Sequence, residues 1–214
     1  MSGAREEVLR AVRDGLGGRR ADAATIAAEA RALLDAPELI RPALADPDLV
    51  QAFTARAAAV GTTVARIGAL TELPGAVRAY LAGHGRAGRV ALQPVPELAA
   101  LDWSGFEVRA SPASDEPAAV GLALWGIAET GSVVFHSGPD TPVLLAFLPL
   151  HHLVVLRAGT ILPHLEDYAA LAVPAPRNLN LITGASGTTD IEGSYVRGAH
   201  GPGFLHVVIV DEAR

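Results

Sequence analysis

The sequence predicts an α/β protein in which a mostly parallel sheet is covered by helices. Three observations predict this fold. The chain has 214 residues, enough for one sizeable domain, and half of its residues are apolar. From about residue 62 onwards, short apolar runs alternate with segments of helical periodicity. Because a strand that is buried on both faces has an almost unbroken apolar sequence, this alternation is typical of parallel strands joined by helices.

The first sixty residues are predicted to be a helical extension that precedes an α/β domain of residues 61–214. Apolar residues recur on one face from Val8 to Leu16, where two glycines end the first helix. A second, alanine-rich helix is expected from about Asp22 to Leu34. A third helix is expected to begin at Asp46 and Pro47, since an aspartate cap followed by proline is typical of a first helical turn.

After this extension, short apolar and β-branched runs bounded by glycine, proline or polar residues predict strands. The expected strands are residues 62–67, 89–93, 106–110, 118–124, 132–136, 152–157, 178–183 and 205–210. Longer segments with a 3.6-residue period predict the helices between them. The expected helices are residues 72–81, 96–101, 142–147 and 160–171, and a last one that follows the loop 184–187 and ends near Gly198.

Two absences from the composition exclude several classes of chemistry. The chain has no cysteine, and all 17 of its basic Lys/Arg residues are arginine. Without cysteine, a disulfide, a thiol nucleophile, a thiolate zinc site and a protein-ligated iron–sulfur cluster are all excluded. Without lysine, a Schiff-base mechanism and a Walker-A phosphate loop are excluded.

The charge and hydropathy patterns predict a protein of the cytoplasm that does not bind nucleic acid and does not span a membrane. The net charge is −6, and no cluster of arginines offsets it. No apolar run approaches the roughly 18 residues that a membrane span needs. The N-terminus becomes acidic at once and lacks the apolar centre of a signal peptide.

The segment from Leu181 to Glu192 is the most informative candidate site. A predicted strand runs into a glycine-bearing loop and then into a predicted helix, which would place backbone N–H groups at the carboxyl end of a strand. The polar and small residues expected to bind a carboxylate or phosphate there are Thr183, Gly184, Ser186 and Thr188, and Asp190 is a candidate acid or base. An alternative role remains open for the C-terminal part of this segment, because Thr189 and Glu192 also match a helix capping box.

Two further segments contain candidate residues. Glu129, Thr130 and Gly131 lie in a turn between two apolar strands, where a buried glutamate would act as a base or nucleophile and a solvated turn is the alternative. His200 lies between glycines just before the last strand and is a candidate acid, base or hydrogen-bond donor. It is expected to join the other candidate residues in a site at the carboxyl ends of the strands. His151 and His152 are not expected to share a metal ion, since neighbouring strand residues point to opposite faces. No metal site is predicted.

These motifs, in this order, resemble the LUD-domain family, and within it the group of lactate utilization protein C, also called LutC/YkgG. The resemblance covers roughly residues 118–210. It rests on Ala128-Glu129-Thr130-Gly131-Ser132, Leu148-Pro149-x-x-His152, Thr183-Gly184-x-Ser186-x-Thr188-x-Asp190-Ile191-Glu192 and Gly198-x-His200-Gly201-Pro202.

The resemblance implies a fold like that of the NagB/RpiA/CoA-transferase group. It also implies a role, with iron–sulfur partner proteins, in the oxidation of L-lactate to pyruvate. Because a chain without cysteine cannot hold the clusters, this chain is expected to be the non-redox subunit, which binds a small organic acid, the partner subunits, or both.

An alternative function and one departure from the family pattern stay open. The alternative is an acyl- or CoA-transferase that uses Glu129 as nucleophile, because related folds use a glutamate turn in this way. The departure concerns Val143 and Ala146, which stand where the family often has an arginine and a serine. If that arginine binds a substrate carboxylate, Arg157, Arg177 or Arg197 would have to replace it.

Overall fold

A computed structural model describes residues 2–16, 22–36, 38, 41–86, 88–171, 174–191 and 193–211. The chain forms two compact units, Met1–Pro42 and Ala43–Arg214. The first unit contains the two predicted helices, α1 (Ser2–Gly15) and α2 (Ala23–Asp35). The carboxylate of Asp22 caps α2 by accepting hydrogen bonds from the N–H groups of Ala24 and Thr25, at 2.9 and 3.0 Å.

The second unit is an α/β domain. In chain order it contains α3 (Leu49–Ala59), β1 (Thr63–Ile67), α4 (Leu73–Gly83), β2 (Arg89–Leu92), α5 (Pro96–Ala99), β3 (Glu107–Arg109), β4 (Ala118–Leu122), β5 (Trp125–Ile127), β6 (Ser132–His136), α6 (Leu144–Phe147), β7 (His151–Arg157), β8 (Ile161–Leu162), α7 (Leu165–Ala170), β9 (Leu179–Ile182), β10 (Gly187–Ile191), β11 (Ser194–Arg197) and β12 (Phe204–Val210).

The main sheet has six strands in the order β1-β12-β7-β4-β2-β3, and every neighbouring pair is parallel. This confirms the predicted fold class. A second sheet of four strands has the order β8-β5-β6-β9, in which only β5 and β8 pair in parallel. The strands β10 and β11 form a separate antiparallel hairpin.

Apolar side chains cover both faces of the parallel sheet. On one face, Leu73 and Val77 of α4 pack with Leu153 and Val155 of β7. On the other face, Phe53 of α3 belongs to a buried cluster that also includes residues of β7, β12 and the four-stranded sheet. Because β7 is buried on both faces, its sequence has the continuous apolar run that predicted a parallel strand.

The structure corrects the prediction for the start of α3. Asp48 is the cap of this helix, not Asp46, and its carboxylate accepts from the N–H groups of Val50 and Gln51. The carboxylate of Asp46 instead accepts from the N–H of Asp48 at 2.8 Å. Two aspartates two residues apart both match a cap pattern, and the helix begins after the second.

The prediction of one helix over residues 160–171 is also wrong. A short 3₁₀ turn, Ala158–Thr160, leads into β8, which pairs with β5, and only Leu165–Ala170 is helical. Pro163 separates the two elements, since proline disfavours helical conformation in the residue before it. The strands β5 and β8 are too short to have an alternating pattern, and the sequence did not predict them.

The helix predicted after the loop 184–187 is replaced by the β10–β11 hairpin. β-branched residues dominate residues 188–191, and such residues favour strand. Gly193, with φ of 70°, lies in the turn between the two strands, where this backbone conformation favours glycine. Glu192, the proposed partner in a capping box, lies outside the described residues.

A helix able to cross a membrane was not found in the described parts of the chain.

Candidate functional site

A chain of three hydroxyl groups joins two of the predicted motifs. The hydroxyl oxygens of Thr130 and Ser132 are 2.7 Å apart, and those of Ser132 and Thr183 are 2.6 Å apart. The antiparallel pairing of β6 with β9 explains this contact, because it places the start of β6 beside the end of β9. Ser132 is buried, whereas Thr130 and Thr183 are exposed. The outer two hydroxyls are therefore accessible to a ligand.

Two glycines bring the loops of these motifs against the end of α3. Gly131 has φ of 69°, and a Cβ atom there would lie 2.4 Å from the backbone nitrogen of Ala57. Gly184 has φ of 71°, and its Cβ would lie 2.6 Å from the carbonyl oxygen of Val60. Both positions thus require glycine for conformation and for space. The last turn of α3 fixes the relative position of the two loops.

Glu129 is half-buried and directed towards the start of α7. One carboxylate oxygen accepts a hydrogen bond from the N–H of Leu165 at 2.7 Å. The N–H of Glu129 itself donates to the carbonyl oxygen of Pro163 at 3.0 Å. These two bonds fix the position of Glu129, which directly precedes Thr130 of the hydroxyl chain in the sequence. One of its carboxylate oxygens is restrained by a backbone N–H donor.

Ser186 and His200 belong to a neighbouring part of the structure. The N–H of Ser186 donates to the carbonyl of Pro202 at 2.9 Å, and the carbonyl of Ser186 accepts from the N–H of Gly198 at 2.9 Å. This pins the Ser186 loop to the turn that carries His200, whose side chain is exposed. The turn leads into β12, so His200 lies at the amino end of the parallel sheet, not at the carboxyl end as predicted.

Thr188 and Asp190 lie on β10. The Thr188 hydroxyl accepts a hydrogen bond from the N–H of Asp190 at 3.2 Å, and the side chain of Asp190 is exposed. With a strand in place of the predicted helix, no helix dipole favours an anion at this loop. The roles predicted for both residues stay predictions.

Sequence reasoning missed a cluster of aromatic and histidine side chains on the α4 face of the sheet. The ring of Tyr80 stacks on His206 at 4.1 Å between centroids, and its hydroxyl lies 3.1 Å from Nδ1 of His151. His84 donates from Nδ1 to the carbonyl of Tyr80 at 2.9 Å. Burial is the main cause that lowers the pKa of His151 and of His206 from 6.5 to about 4. The parallel pairing of β7 with β12 brings His151 and His206 to one face of the sheet, and α4 and its C-cap contribute Tyr80 and His84.

His152 points to the opposite face of the sheet, as predicted for neighbouring strand residues. Its ring lies 5.6 Å from that of Phe135, and burial lowers its pKa from 6.5 to about 4. Within the described part of the chain, Nδ1 of His152 has no hydrogen-bond partner. It lines a cavity of about 10 Å³, enough for one water molecule, and Val143 and Ala146 form part of the same wall.

Replacing Ser132 with alanine is expected to lower the free energy of unfolding by about 1 kcal/mol, because it removes the central hydroxyl of the chain. The cost is modest, since the exposed Thr130 and Thr183 can bind water instead. Urea unfolding measures it, with Ser194→Ala on the exposed side of the hairpin as the matched control. Equal stability of the two variants would show that the hydroxyl chain contributes nothing.

The segment that contains these motifs is similar to known proteins. Residues 114–210 match the model of the LUD domain. The chain is 33% identical over 125 residues to YkgG of Escherichia coli, with 54% of each protein covered. It is 28% identical over 120 residues to lactate utilization protein C of Bacillus subtilis, covering 52% of this chain and 50% of the relative. The chain thus spans about half the length of the curated relatives it matches.

A solved structure shares the fold. The crystal structure of a DUF162 family protein from Deinococcus radiodurans matches with a TM-score of 0.53 and 21% identity, covering 76% of this chain and 96% of that chain. This likeness supports the fold alone. The segment that matches the LUD-domain model contains all four motifs. Over residues 114–210 the chain is thus similar to the LUD domain, and it resembles lactate utilization protein C and YkgG.

Proposed function

We propose that this protein is a non-redox component of a lactate utilization system. The observation that carries the proposal is the LUD-domain match, together with relatives named lactate utilization protein C. The composition supports the assignment of this chain as a component that carries no iron–sulfur cluster. A chain without cysteine cannot ligate an iron–sulfur cluster through thiolates, so the electrons of lactate oxidation would pass to cluster-bearing partner subunits.

In this proposal the hydroxyl chain and its loops bind a small organic acid. The exposed hydroxyls of Thr130 and Thr183 are suited to donate hydrogen bonds to a carboxylate, and Ser132 orients both. Glu129 accepts from the N–H of Leu165 through one carboxylate oxygen, and in this proposal its other oxygen accepts a proton. His200 would supply a second acid or base on the neighbouring turn.

Deletion of the gene for this chain is expected to abolish growth on L-lactate and to leave growth on pyruvate intact. Glu129→Gln is expected to lower lactate-dependent dye reduction in cell extracts by about 10²-fold, because it removes a proton acceptor without changing shape. Glu107→Gln, at an exposed carboxylate of β3, is the matched control and should behave as wild type. Unchanged growth of the deletion strain on L-lactate would contradict the proposal.

A further inference from the structure

A cleft separate from the hydroxyl chain lies at the carboxyl ends of three neighbouring strands of the parallel sheet, β2, β4 and β7. It has a volume of about 210 Å³. Its polar lining consists of Gln93, Glu97, Thr141, Arg157 and Thr160. Open α/β sheets characteristically bind small ligands at this edge, where successive loops diverge. None of these residues belongs to the hydroxyl chain or to the turn of His200.

Arg157 supplies the positive charge of the cleft. It is the last residue of β7, it is half-buried, and its carbonyl oxygen accepts a hydrogen bond from the hydroxyl of Thr160 at 2.9 Å. Among the residues that the structure describes, no carboxylate forms an ion pair with Arg157. A guanidinium group that lines a cleft without a protein partner is suited to bind the carboxylate of a ligand, since its donors match both oxygens.

Gln93 and Thr141 supply directed hydrogen-bond donors beside it. The side-chain oxygen of Gln93 accepts from the N–H of Leu122 at 2.7 Å, and its amide nitrogen donates to the hydroxyl of Thr141 at 2.9 Å. These bonds fix the amide group and leave two hydrogens uncommitted, the second N–H of Gln93 and the O–H of Thr141. Both residues line the cleft, so these donors are available to an oxygen atom of the ligand.

This cleft adjoins the cavity that His152 lines, because the two spaces share two lining residues. Gln93 and Thr141 line both spaces. His152 is 1% exposed, and its Nδ1 has no partner among the described residues. A buried polar nitrogen without a hydrogen bond costs free energy unless water or a ligand satisfies it. A water molecule in the cavity beside the cleft would satisfy this nitrogen.

We propose that this cleft binds a small carboxylate with a second oxygen next to it, such as a 2-hydroxy or 2-keto acid. Arg157 binds the carboxylate, and Gln93 with Thr141 donates to the second oxygen. The site is distinct from the hydroxyl chain used in the proposed function, and only the choice of L-lactate as a probe rests on that function. Glu97 is an exposed carboxylate in the cleft wall, and it opposes the binding of an anion.

Calorimetric titration of the purified full-length chain tests this site with L-lactate, pyruvate, propionate and lactamide. L-Lactate and pyruvate are expected to bind saturably. Propionate, which lacks the second oxygen, should bind about 3- to 10-fold more weakly, and the uncharged lactamide about 10- to 100-fold more weakly. Wild-type protein that binds none of the carboxylates would overturn the proposal, and so would equal affinity for L-lactate and lactamide.

Variants then locate the binding. Arg157→Gln is expected to weaken L-lactate binding about 10- to 100-fold, and Thr141→Val about 3- to 10-fold. Arg86→Gln removes an exposed arginine that does not line this cleft and should leave the affinity unchanged. Glu97→Gln should tighten binding, because it removes a repelling charge from the wall. Wild-type affinity in Arg157→Gln would overturn the assignment.

Two measurements keep the outcomes interpretable. Circular dichroism and urea unfolding report whether each variant is folded, and Glu97→Gln, a surface change, tests the sign of the ligand charge even if Arg157→Gln fails to fold. Growth of the deletion strain on L-lactate reports separately on the proposed function. A chain that binds carboxylates but is dispensable for growth would refute the function and not this site. A chain that is required for growth and keeps wild-type affinity in Arg157→Gln would refute this site and not the function.

Discussion

Replacement of Gly131 with alanine is expected to lower the free energy of unfolding by about 2–4 kcal/mol. Two costs add at this position. The φ of 69° is strained for any residue with a Cβ atom, and that atom would lie 2.4 Å from the backbone nitrogen of Ala57. Because the nearest atoms belong to backbone, a side-chain rotation cannot relieve the overlap. The thermal midpoint should fall by roughly 5–15 °C.

Gly138→Ala is the matched control for this prediction. Gly138 follows the next strand in the chain, its φ is not positive, and nothing lies within 4 Å of a Cβ atom there. It should therefore unfold within about 0.5 kcal/mol of wild type. If Gly131→Ala were equally stable, the close approach of this loop to α3 would be wrong, and with it the geometry of the hydroxyl chain.

Lowering the pH from 6.5 to 5 is expected to destabilise the protein through buried histidines. His151, His152 and His206 have a pKa of about 4 in the folded chain, against 6.5 ordinarily. In this range the unfolded chain binds protons that the folded chain does not. The stabilisation is therefore complete above pH 6.5 and is lost as the pH falls towards 4. Each histidine contributes a slope of up to about 1.4 kcal/mol per pH unit.

Urea unfolding at a series of pH values between 5 and 6.5 measures this proton uptake. We expect between one and three protons to be bound on unfolding, with His152 the most buried contributor. His152→Gln should reduce the uptake by about one proton. A free energy of unfolding that stays constant over this range would contradict the burial of the three rings.

The sequence predicted the parallel sheet because its strands β2, β4, β7 and β12 are buried on both faces and have nearly unbroken apolar runs. Some short or exposed elements were not predicted correctly. The strands β5 and β8 have three and two residues, too few for a periodic pattern. In residues 188–191 a capping motif competed with β-branched residues, and strand formation prevailed in the absence of a packed helical face.

The part of the candidate site that consists of local motifs could be predicted from the sequence. The glycines at 131 and 184 and the polar residues around them are local signals, and both motifs meet in space through Ser132 and Thr183. The histidine cluster and the Arg157 cleft depend on which strands are neighbours in the sheet. Strand order is a long-range property, so Gln93 and Arg157, 64 positions apart, show no common pattern in the sequence.

The support of Gly131 and Gly184 by α3 has a consequence for where the domain can be cut. The family match begins at residue 114, yet α3 and the strands β1, β2 and β3 all precede it. An excised fragment of residues 114–210 would expose one long edge of β12 and one of β4, and would uncover the apolar face beneath Phe53. The segment that matches the LUD-domain model is therefore smaller than the compact unit that contains it. A shortened form of this protein should retain the chain from Ala43 onwards.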